Sequence, residues 1–188
     1  MPVRFAFRQV DRRDLATFFK DGEVRAKRHR ASQACHQTSH RQIVQRRNEH
    51  LVDLPHGGVV NDYVAFYFSP ITAFTFAIHK GSVEVTSPNG TSLGASSLDT
   101  RAFLVANVSN LFAKYEHICF SNYALNTAVP LPEVVCDQRR FETHINWAQF
   151  DDSPLGAAIP ELGYEGVCRY FNSSLLPPGR QHRSTERM

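Results

Sequence analysis

The stretch from residue 60 to residue 81, VNDYVAFYFSPITAFTFAIHKG, is the densest apolar segment of the chain and constrains its fold most strongly. In its first half, apolar side chains occupy both sets of alternating positions. This pattern predicts a strand that is covered on both faces. Ser69 and Pro70 predict a helix start, because serine can accept from free backbone N–H groups and proline suits the first turn. Gly81 predicts the end of that helix.

The opening of the chain predicts a strand and then a helix. Phe5 and Phe7 alternate with their neighbours as in a short strand. Asp11 predicts the cap of a helix with Asp14 in its first turn, and Gly22 predicts the stop of that helix.

The rest of the chain predicts a mixed fold. Residues 53–61 predict a turn-rich connection, and the small and polar residues 91–97 predict a loop. Short strand patterns and short helical patterns occur in similar number, without a regular strand–helix–strand alternation. This arrangement is typical of the α+β class rather than of a doubly wound sheet. The length of 188 residues predicts a single domain that spans residues 1–188 and has a core of ordinary size.

The cysteines and the hydropathy pattern indicate the compartment. The four cysteines, at positions 35, 119, 136 and 168, form no CxxC pair, and the nine histidines show no convincing metal-ligand spacing. We therefore predict reduced thiols in a cytoplasmic protein, with no disulfide framework and no bound metal. No apolar run approaches the ~18–20 residues of a membrane span, so we expect no association with a membrane.

The charge is distributed unevenly along the chain. Residues 1–50 contain 12 Lys and Arg against 5 Asp and Glu, whereas residues 51–188 contain 9 against 13. A basic half favours a phosphate-bearing partner, although a solvated basic surface explains the same pattern equally well. The segment Gly22–Gln37 predicts a long loop, and its four candidate nucleic-acid contacts are Arg25, Lys27, Arg28 and Arg30.

A pair of arginines follows the basic loop. Ser39 and Gln42 have the spacing of a capping box, which predicts a short helix whose last turn contains Arg46 and Arg47. Cations at that position have a plain explanation in the electrostatics of a helix C-terminus. They also have a functional one, because a guanidinium group matches the oxygens of a phosphate. The pattern alone favours the plain explanation.

No common catalytic motif is present: the chain has no phosphate loop and no GxGxxG, HExxH or GxSxG sequence. Several segments, however, resemble in order and spacing those of the DarT family of DNA ADP-ribosyltransferases, which are toxins of toxin–antitoxin pairs. The most specific is DYVAFYF at residues 62–68, which is similar to the family's DYVPFYF. The others are the opening strand and helix at residues 7–22, IVQRR at residues 43–47, FSN with Ala124 at residues 120–124, and INW at residues 145–147.

The resemblance implies an ADP-ribosyltransferase-like fold, with small twisted sheets around an NAD cleft and flanking helices. Arg47 matches the arginine expected to hold the NAD phosphates and to serve catalysis, with Arg46 as the less favoured alternative. Tyr63 and Tyr67 would lie near the cleft or pack in the core. Arg8 stands near the position where the family commonly has a histidine. NAD would be the substrate, and its ribose would be joined to a base of single-stranded DNA through an oxocarbenium-like transition state.

The resemblance also implies partners and one departure. The partners would be single-stranded DNA and an antitoxin protein of the macrodomain type, with no metal. The family's catalytic glutamate lies in a segment similar to RRxAEFLV, whereas this chain reads RSTERM at residues 183–188. We therefore expect that glutamate to be missing from the present chain, with Glu161, Glu165 and Glu186 as candidate substitutes. The alternatives are a catalytically defective nucleic-acid-binding domain of the same fold and a relative that modifies RNA or protein.

Overall fold

The computed structural model describes residues 3–49, 52–70, 72–125 and 130–147. The strands in these residues are β1 (Phe5–Asp11), β2 (Gln37–Thr38), β3 (Glu84–Thr86), β4 (Ser92–Ala95), β5 (Arg101–Asn107), β6 (Phe120–Ser121) and β7 (Val134–Val135). The helices are α1 (Leu15–Asp21), α2 (Arg41–Arg46), α3 (Ala73–His79), α4 (Val108–Lys114) and α5 (Phe141–His144).

The strands of the described residues form three small sheets, each antiparallel. The longest pair is β1 with β5, in register from Phe5 opposite Asn107 to Asp11 opposite Arg101. The other sheets have the orders β2-β3-β4 and β6-β7. Small antiparallel sheets mixed with short helices confirm the predicted α+β class. The strand β4 corrects one expectation, since the small and polar residues of this stretch indicated a loop.

The opening of the chain follows its sequence pattern. Asp11 ends β1, and its side chain accepts a hydrogen bond from the backbone of Arg13, which caps a 3₁₀ turn at Arg12–Asp14. Helix α1 continues from that turn and ends at Gly22, whose φ of 68° is the left-handed conformation that glycine adopts without strain. The predicted strand, helix and glycine stop are therefore confirmed.

The predicted central strand at residues 62–68 is wrong. Only Tyr67 pairs with β1, through two backbone hydrogen bonds of 2.7 and 2.8 Å to Phe7. The guanidinium of Arg8 donates to the carbonyl of Ala65 at 2.8 Å, so a side chain takes the place of a strand partner there. The helix after this segment also starts later than predicted. Its cap is Thr72, whose hydroxyl accepts from the backbone of Thr75.

The main core lies between the β1 edge, helix α5 and the β6-β7 pair. It consists of buried side chains from distant parts of the chain, namely Ala6, Phe68, Val108, Phe120, Val135, Phe141, Ile145 and Trp147. Phe68, Phe141 and Trp147 pack edge to face, with ring centroids 5.2–5.5 Å apart. None of the helices within the described ranges is long and apolar enough to cross a membrane.

A disulfide joins Cys119 and Cys136, and it corrects the prediction that the described cysteines are all reduced thiols. Strands β6 and β7 pair with Phe120 opposite Val135. The same register places Cys119 opposite Cys136, with their Cα atoms 4.2 Å apart. The two cysteines lie 17 positions apart in sequence, and the antiparallel pairing that brings them together cannot be deduced from cysteine spacing.

Candidate functional site

The two neighbouring arginines at the end of α2 have different surroundings. The helix begins after His40, which provides no side-chain cap, so the capping box predicted from Ser39 and Gln42 is wrong. The hydroxyl of Ser39 instead accepts from the side chain of Gln37 at 2.9 Å. Arg46 is exposed in the last turn. Arg47 follows as the C-cap, and its backbone N–H donates to the carbonyl of Ile43.

The Arg47 side chain is half-buried and has no ionic partner in the described part of the chain. Its Nε atom is buried and makes no hydrogen bond there. The backbone carbonyl of Arg47 accepts from the N–H of Asn61 at 3.3 Å. The Asn61 side chain donates to the carbonyl of Val44 at 3.0 Å and to the side chain of Asn48 at 2.7 Å. Asn61 therefore fixes the helix end on which Arg47 is placed.

Arg8 lies within electrostatic range of Arg47. Burial lowers the pKa of Arg8, the positive charge of Arg47 lowers it further, and Tyr67 opposes the shift. The three side chains are thus close enough to interact electrostatically. One guanidinium nitrogen of Arg8 is satisfied by Ala65, whereas its Nε atom is buried and unpaired among the described residues. Two guanidinium groups near each other, with no carboxylate paired to either among the described residues, favour the binding of an anion.

Two side chains of the basic loop extend this cluster. Desolvation lowers the pKa of Lys27, and the charge of Arg47 lowers it further, so Lys27 adds a third cation near Arg47. Its ammonium group donates to the side chain of Gln37 at 2.9 Å. Cys35 lies near Arg8, but burial and the charge of Asp14 raise the pKa of its thiol to about 11. A neutral thiol is a poor nucleophile, so Cys35 does not fit a catalytic role.

The basic loop at residues 22–36 is held by two groups of hydrogen bonds, one from Asp14 and one from Gln33 within the loop. The carboxylate of Asp14 accepts from the backbone of His36 at 2.9 Å and contacts the Nδ1 atom of the same residue at 2.7 Å. The Gln33 side chain bridges the loop, because it donates to Asp21 at 2.8 Å and accepts from the backbone of Arg25 at 2.8 Å. These contacts fix the loop at both ends.

The three other predicted DNA contacts, Arg25, Arg28 and Arg30, differ in how far their guanidinium groups are already paired with carboxylates. Arg25 is engaged internally, with Glu23 at 2.6 Å and Asp21 at 3.6 Å. Its pKa is raised by the hydrogen bond to Glu23. Arg28 forms an exposed ion pair with Asp62 at 3.5 Å. Arg30 is exposed. The structure therefore brings Lys27 to the arginine cluster and leaves Arg25 tied to nearby carboxylates.

Tyr63 has a different set of contacts from Tyr67. It packs against a second group of apolar side chains, formed by Leu54, Val60 and Leu125. Its hydroxyl donates to the carbonyl of Gly57 at 2.7 Å, and burial raises its pKa. Of the two predicted aromatic contacts to NAD, the structure thus places Tyr67 within electrostatic range of Arg8, and it places the half-buried Tyr63 against the second apolar group.

Three polar residues hold the elements that carry Arg47 and Lys27, and sequence reasoning did not identify them. They are Asp14, Gln33 and Asn61. The pattern around Asp14 gave it only a place in the first helical turn, and nothing in sequence links it to His36, 22 residues away. Asn61 stood in a turn-rich stretch without any apparent partner. The candidate substitutes for the catalytic glutamate, Glu161, Glu165 and Glu186, lie outside the described residues.

The chain is similar to known proteins over most of its length. Residues 7–154 match a family model described as "ssDNA thymidine ADP-ribosyltransferase, DarT". Among solved structures, the chain resembles Thermus sp. 2.9 DarT in complex with ADP-ribosylated ssDNA, with 19% identity and a TM-score of 0.61. That match covers 92% of this chain and 78% of the other. The complex of the same protein with NAD+ gives 18% identity and a TM-score of 0.59, over 94% of this chain and 80% of the other.

A curated relative, the DNA ADP-ribosyl transferase of Thermus sp. (strain 2.9), is 48% identical over 42 residues. These residues are 22% of this chain, and they span only a fifth (20%) of the length of that relative. The structural matches show that the fold of this chain is that of the ADP-ribosyltransferase structures. This agrees with the fold that the sequence segments implied.

Proposed function

Because the chain belongs to the DarT family of ssDNA thymidine ADP-ribosyltransferases, we propose that it is an NAD-dependent enzyme that ADP-ribosylates bases of single-stranded DNA. NAD is the substrate that donates ADP-ribose. The family description names thymidine, so we propose thymidine as the acceptor nucleoside. The same resemblance supports a role as a cytoplasmic toxin with a macrodomain-type antitoxin as partner.

The observation that carries the proposal is the pair of guanidinium groups of Arg8 and Arg47. They are close enough that Arg47 depresses the pKa of Arg8, and neither has a carboxylate partner within the described ranges. Such a pair is costly to bury unless an anion compensates it. The diphosphate of NAD has two negative charges and oxygens that match guanidinium groups. We therefore assign the diphosphate to Arg47 and Arg8, with Arg46 as the weaker candidate because it is exposed.

The chemistry follows from this placement. With its diphosphate held, NAD loses nicotinamide when the bond from the ribose to the pyridinium nitrogen breaks. The sugar then carries positive charge until a nitrogen of the base forms the new bond and releases its proton. A carboxylate beside the sugar would stabilise that charge and accept the proton. In this scheme Tyr67, next to Arg8, contacts NAD beside the diphosphate, and Tyr63 supports the fold.

The nucleic acid would approach over the basic loop. Lys27 lies near Arg47, and Arg28 and Arg30 are exposed on the same loop. These three cations would contact the DNA backbone, whereas Arg25 holds the loop through Glu23 and Asp21. Contacts of this kind release counterions, so binding of a single strand should weaken steeply with salt.

The test is to extend the protein at its C-terminus with the family's RRxAEFLV-like glutamate segment, to incubate it with NAD and a thymidine-containing oligonucleotide, and to analyse the strand by mass spectrometry. We expect the mass of one ADP-ribosyl group to be added, and we expect Arg47→Ala to abolish the addition. Arg46→Ala is the matched control, since it removes the neighbouring arginine from the same helix end. An unmodified strand, bound in a salt-sensitive way by a protein that also binds NAD, would instead support the alternative of a catalytically defective nucleic-acid-binding domain.

A further inference from the structure

The disulfide is part of a larger group of metal-binding side chains. His56, in the turn that precedes Gly57, reaches the pair Cys119 and Cys136, and the ligand atoms of the three residues all lie within 4.8 Å of one another. The ring of His117 packs on that of His56, with centroids 4.6 Å apart. Cys119 is buried, Cys136 is half-buried and His56 is exposed, so the group opens to solvent on one side.

We propose that, when the disulfide is reduced, His56, Cys119 and Cys136 bind a zinc ion. Two thiolates and one imidazole are the donor set that zinc prefers in proteins, with the fourth position of the tetrahedron left open to solvent. Ligand atoms around a tetrahedral zinc ion lie about 3.4–3.8 Å apart, given zinc–ligand bonds of about 2.0–2.3 Å. A mutual separation within 4.8 Å therefore needs only small side-chain movements once the sulfurs separate.

The compartment decides which form is relevant. A protein that uses NAD and DNA as substrates acts in a reducing compartment, where structural disulfides are rare. This step alone rests on the proposed function. A dithiol reductant gives two electrons and two protons to the sulfur–sulfur bond and is itself oxidised to a disulfide. The two thiols then release two protons as zinc binds both thiolates and the neutral imidazole.

A zinc ion at this position would stabilise the candidate site through the chain segment that joins His56 to Asn61. His56 belongs to the connection that leads to Asn61, and Asn61 holds the end of helix α2 through Val44 and Asn48. The ion would tie this connection to strand β6 across a long sequence interval. Domains with small cores commonly gain stability from such a link. If zinc binds the folded state and not the unfolded chain, the apparent stability of the protein rises once the zinc concentration exceeds the dissociation constant.

The test uses the full chain, reduced and then freed of reductant without oxygen. We expect one zinc ion per chain by elemental analysis, and with cobalt we expect the sulfur-to-metal charge-transfer absorption of a thiolate site. His56→Ala should weaken zinc binding by about tenfold or more. The double variant Cys119→Ser with Cys136→Ser should lose the cobalt band. Cys35→Ser and His40→Ala are the matched thiol and imidazole controls and should bind as the parent does.

Three outcomes would overturn the proposal. The first is a reduced protein that takes up neither zinc nor cobalt. The second is binding that survives unchanged in His56→Ala, a variant whose exposed side chain can be removed without loss of the core. The third is equal uptake before and after reduction, since the disulfide form has no thiolates to offer. None of these measurements involves NAD or DNA, so they fail or succeed independently of the proposed enzyme activity.

Discussion

The contact between Asp14 and His36 offers a sharp test of how the basic loop is positioned. Asp14 is buried, and it caps no helix through its side chain. Its carboxylate instead accepts from the His36 backbone at 2.9 Å and meets the Nδ1 atom of His36 at 2.7 Å. An ionised carboxylate only accepts hydrogen bonds, so the second contact requires a proton on Nδ1. We predict that Asp14→Ala loosens the loop and destabilises the protein.

The magnitude follows from the two contacts. A hydrogen bond to a charged group contributes about 1.5–3 kcal/mol, and two bonds from one carboxylate to one residue are not independent. The substitution also leaves the backbone N–H of His36 without its partner. We therefore expect Asp14→Ala to lower the free energy of unfolding by about 2–3 kcal/mol. Asp21→Ala, which removes a half-buried carboxylate from the last residue of α1, should cost less than about 1 kcal/mol.

The assay is urea unfolding of the two single variants Asp14→Ala and His36→Ala and of the double variant. Residues in direct contact show coupling energies of about 0.5–3 kcal/mol, and we expect about 1–2 kcal/mol here. Asp14→Ala should also weaken single-stranded DNA binding, because the loop that holds Lys27 near Arg47 is released. A loss of stability below about 0.5 kcal/mol, or a coupling energy near zero, would refute the role assigned to this contact.

Two further predictions concern the frame around the site. The hydrogen bonds from Arg13 hold the pKa of Asp11 down at about 2, below the usual value of an aspartate. A carboxylate whose pKa is depressed by folding stabilises the fold above its unfolded pKa, so we expect about 1–2 kcal/mol to be lost as the pH falls from about 4 to 2. Arg13→Ala should remove most of that dependence in acid titrations followed by circular dichroism. Gly57 and Gly58 both have positive φ, but a Cβ atom on Gly58 would lie 2.7 Å from the Asp62 carboxylate, whereas one on Gly57 would have no atom within 4 Å. Gly58→Ala should therefore lower the thermal unfolding midpoint more than Gly57→Ala. Equal midpoints for the two variants would contradict this geometry.

The local pattern of the chain predicted those parts of the fold that depend on near neighbours. The opening strand, the turn capped by Asp11 and the stop at Gly22 are governed by residues within a few positions of one another. The strand prediction for the central segment at residues 62–68 was wrong for the opposite reason. The apolar character of this segment predicts a covered strand, whereas a long-range contact, from Arg8 to the carbonyl of Ala65, interrupts the pairing with β1.

The candidate site was predictable only in part, and from resemblance more than from physics. The pattern at Arg47 favoured a plain helix-end cation, and only the match to a known family singled it out. The electrostatic partnership with Arg8 depends on strand β1 and the end of α2 meeting in space. The pairing of Cys119 with Cys136, and the approach of His56 to both, likewise depend on the register of β6 and β7. Residue spacing in the sequence does not predict such long-range contacts.

The affinity for NAD measured by isothermal titration calorimetry tests the central claim most directly, because it requires no turnover. We predict that Arg47→Ala weakens NAD binding by about 10–100-fold, the equivalent of about 1.5–3 kcal/mol for a charged hydrogen-bonded pair. Arg46→Ala, from the exposed neighbour, should stay within about twofold of the parent. Unchanged binding in Arg47→Ala, or an equal loss in both variants, would contradict the assignment of the diphosphate to Arg47 and Arg8.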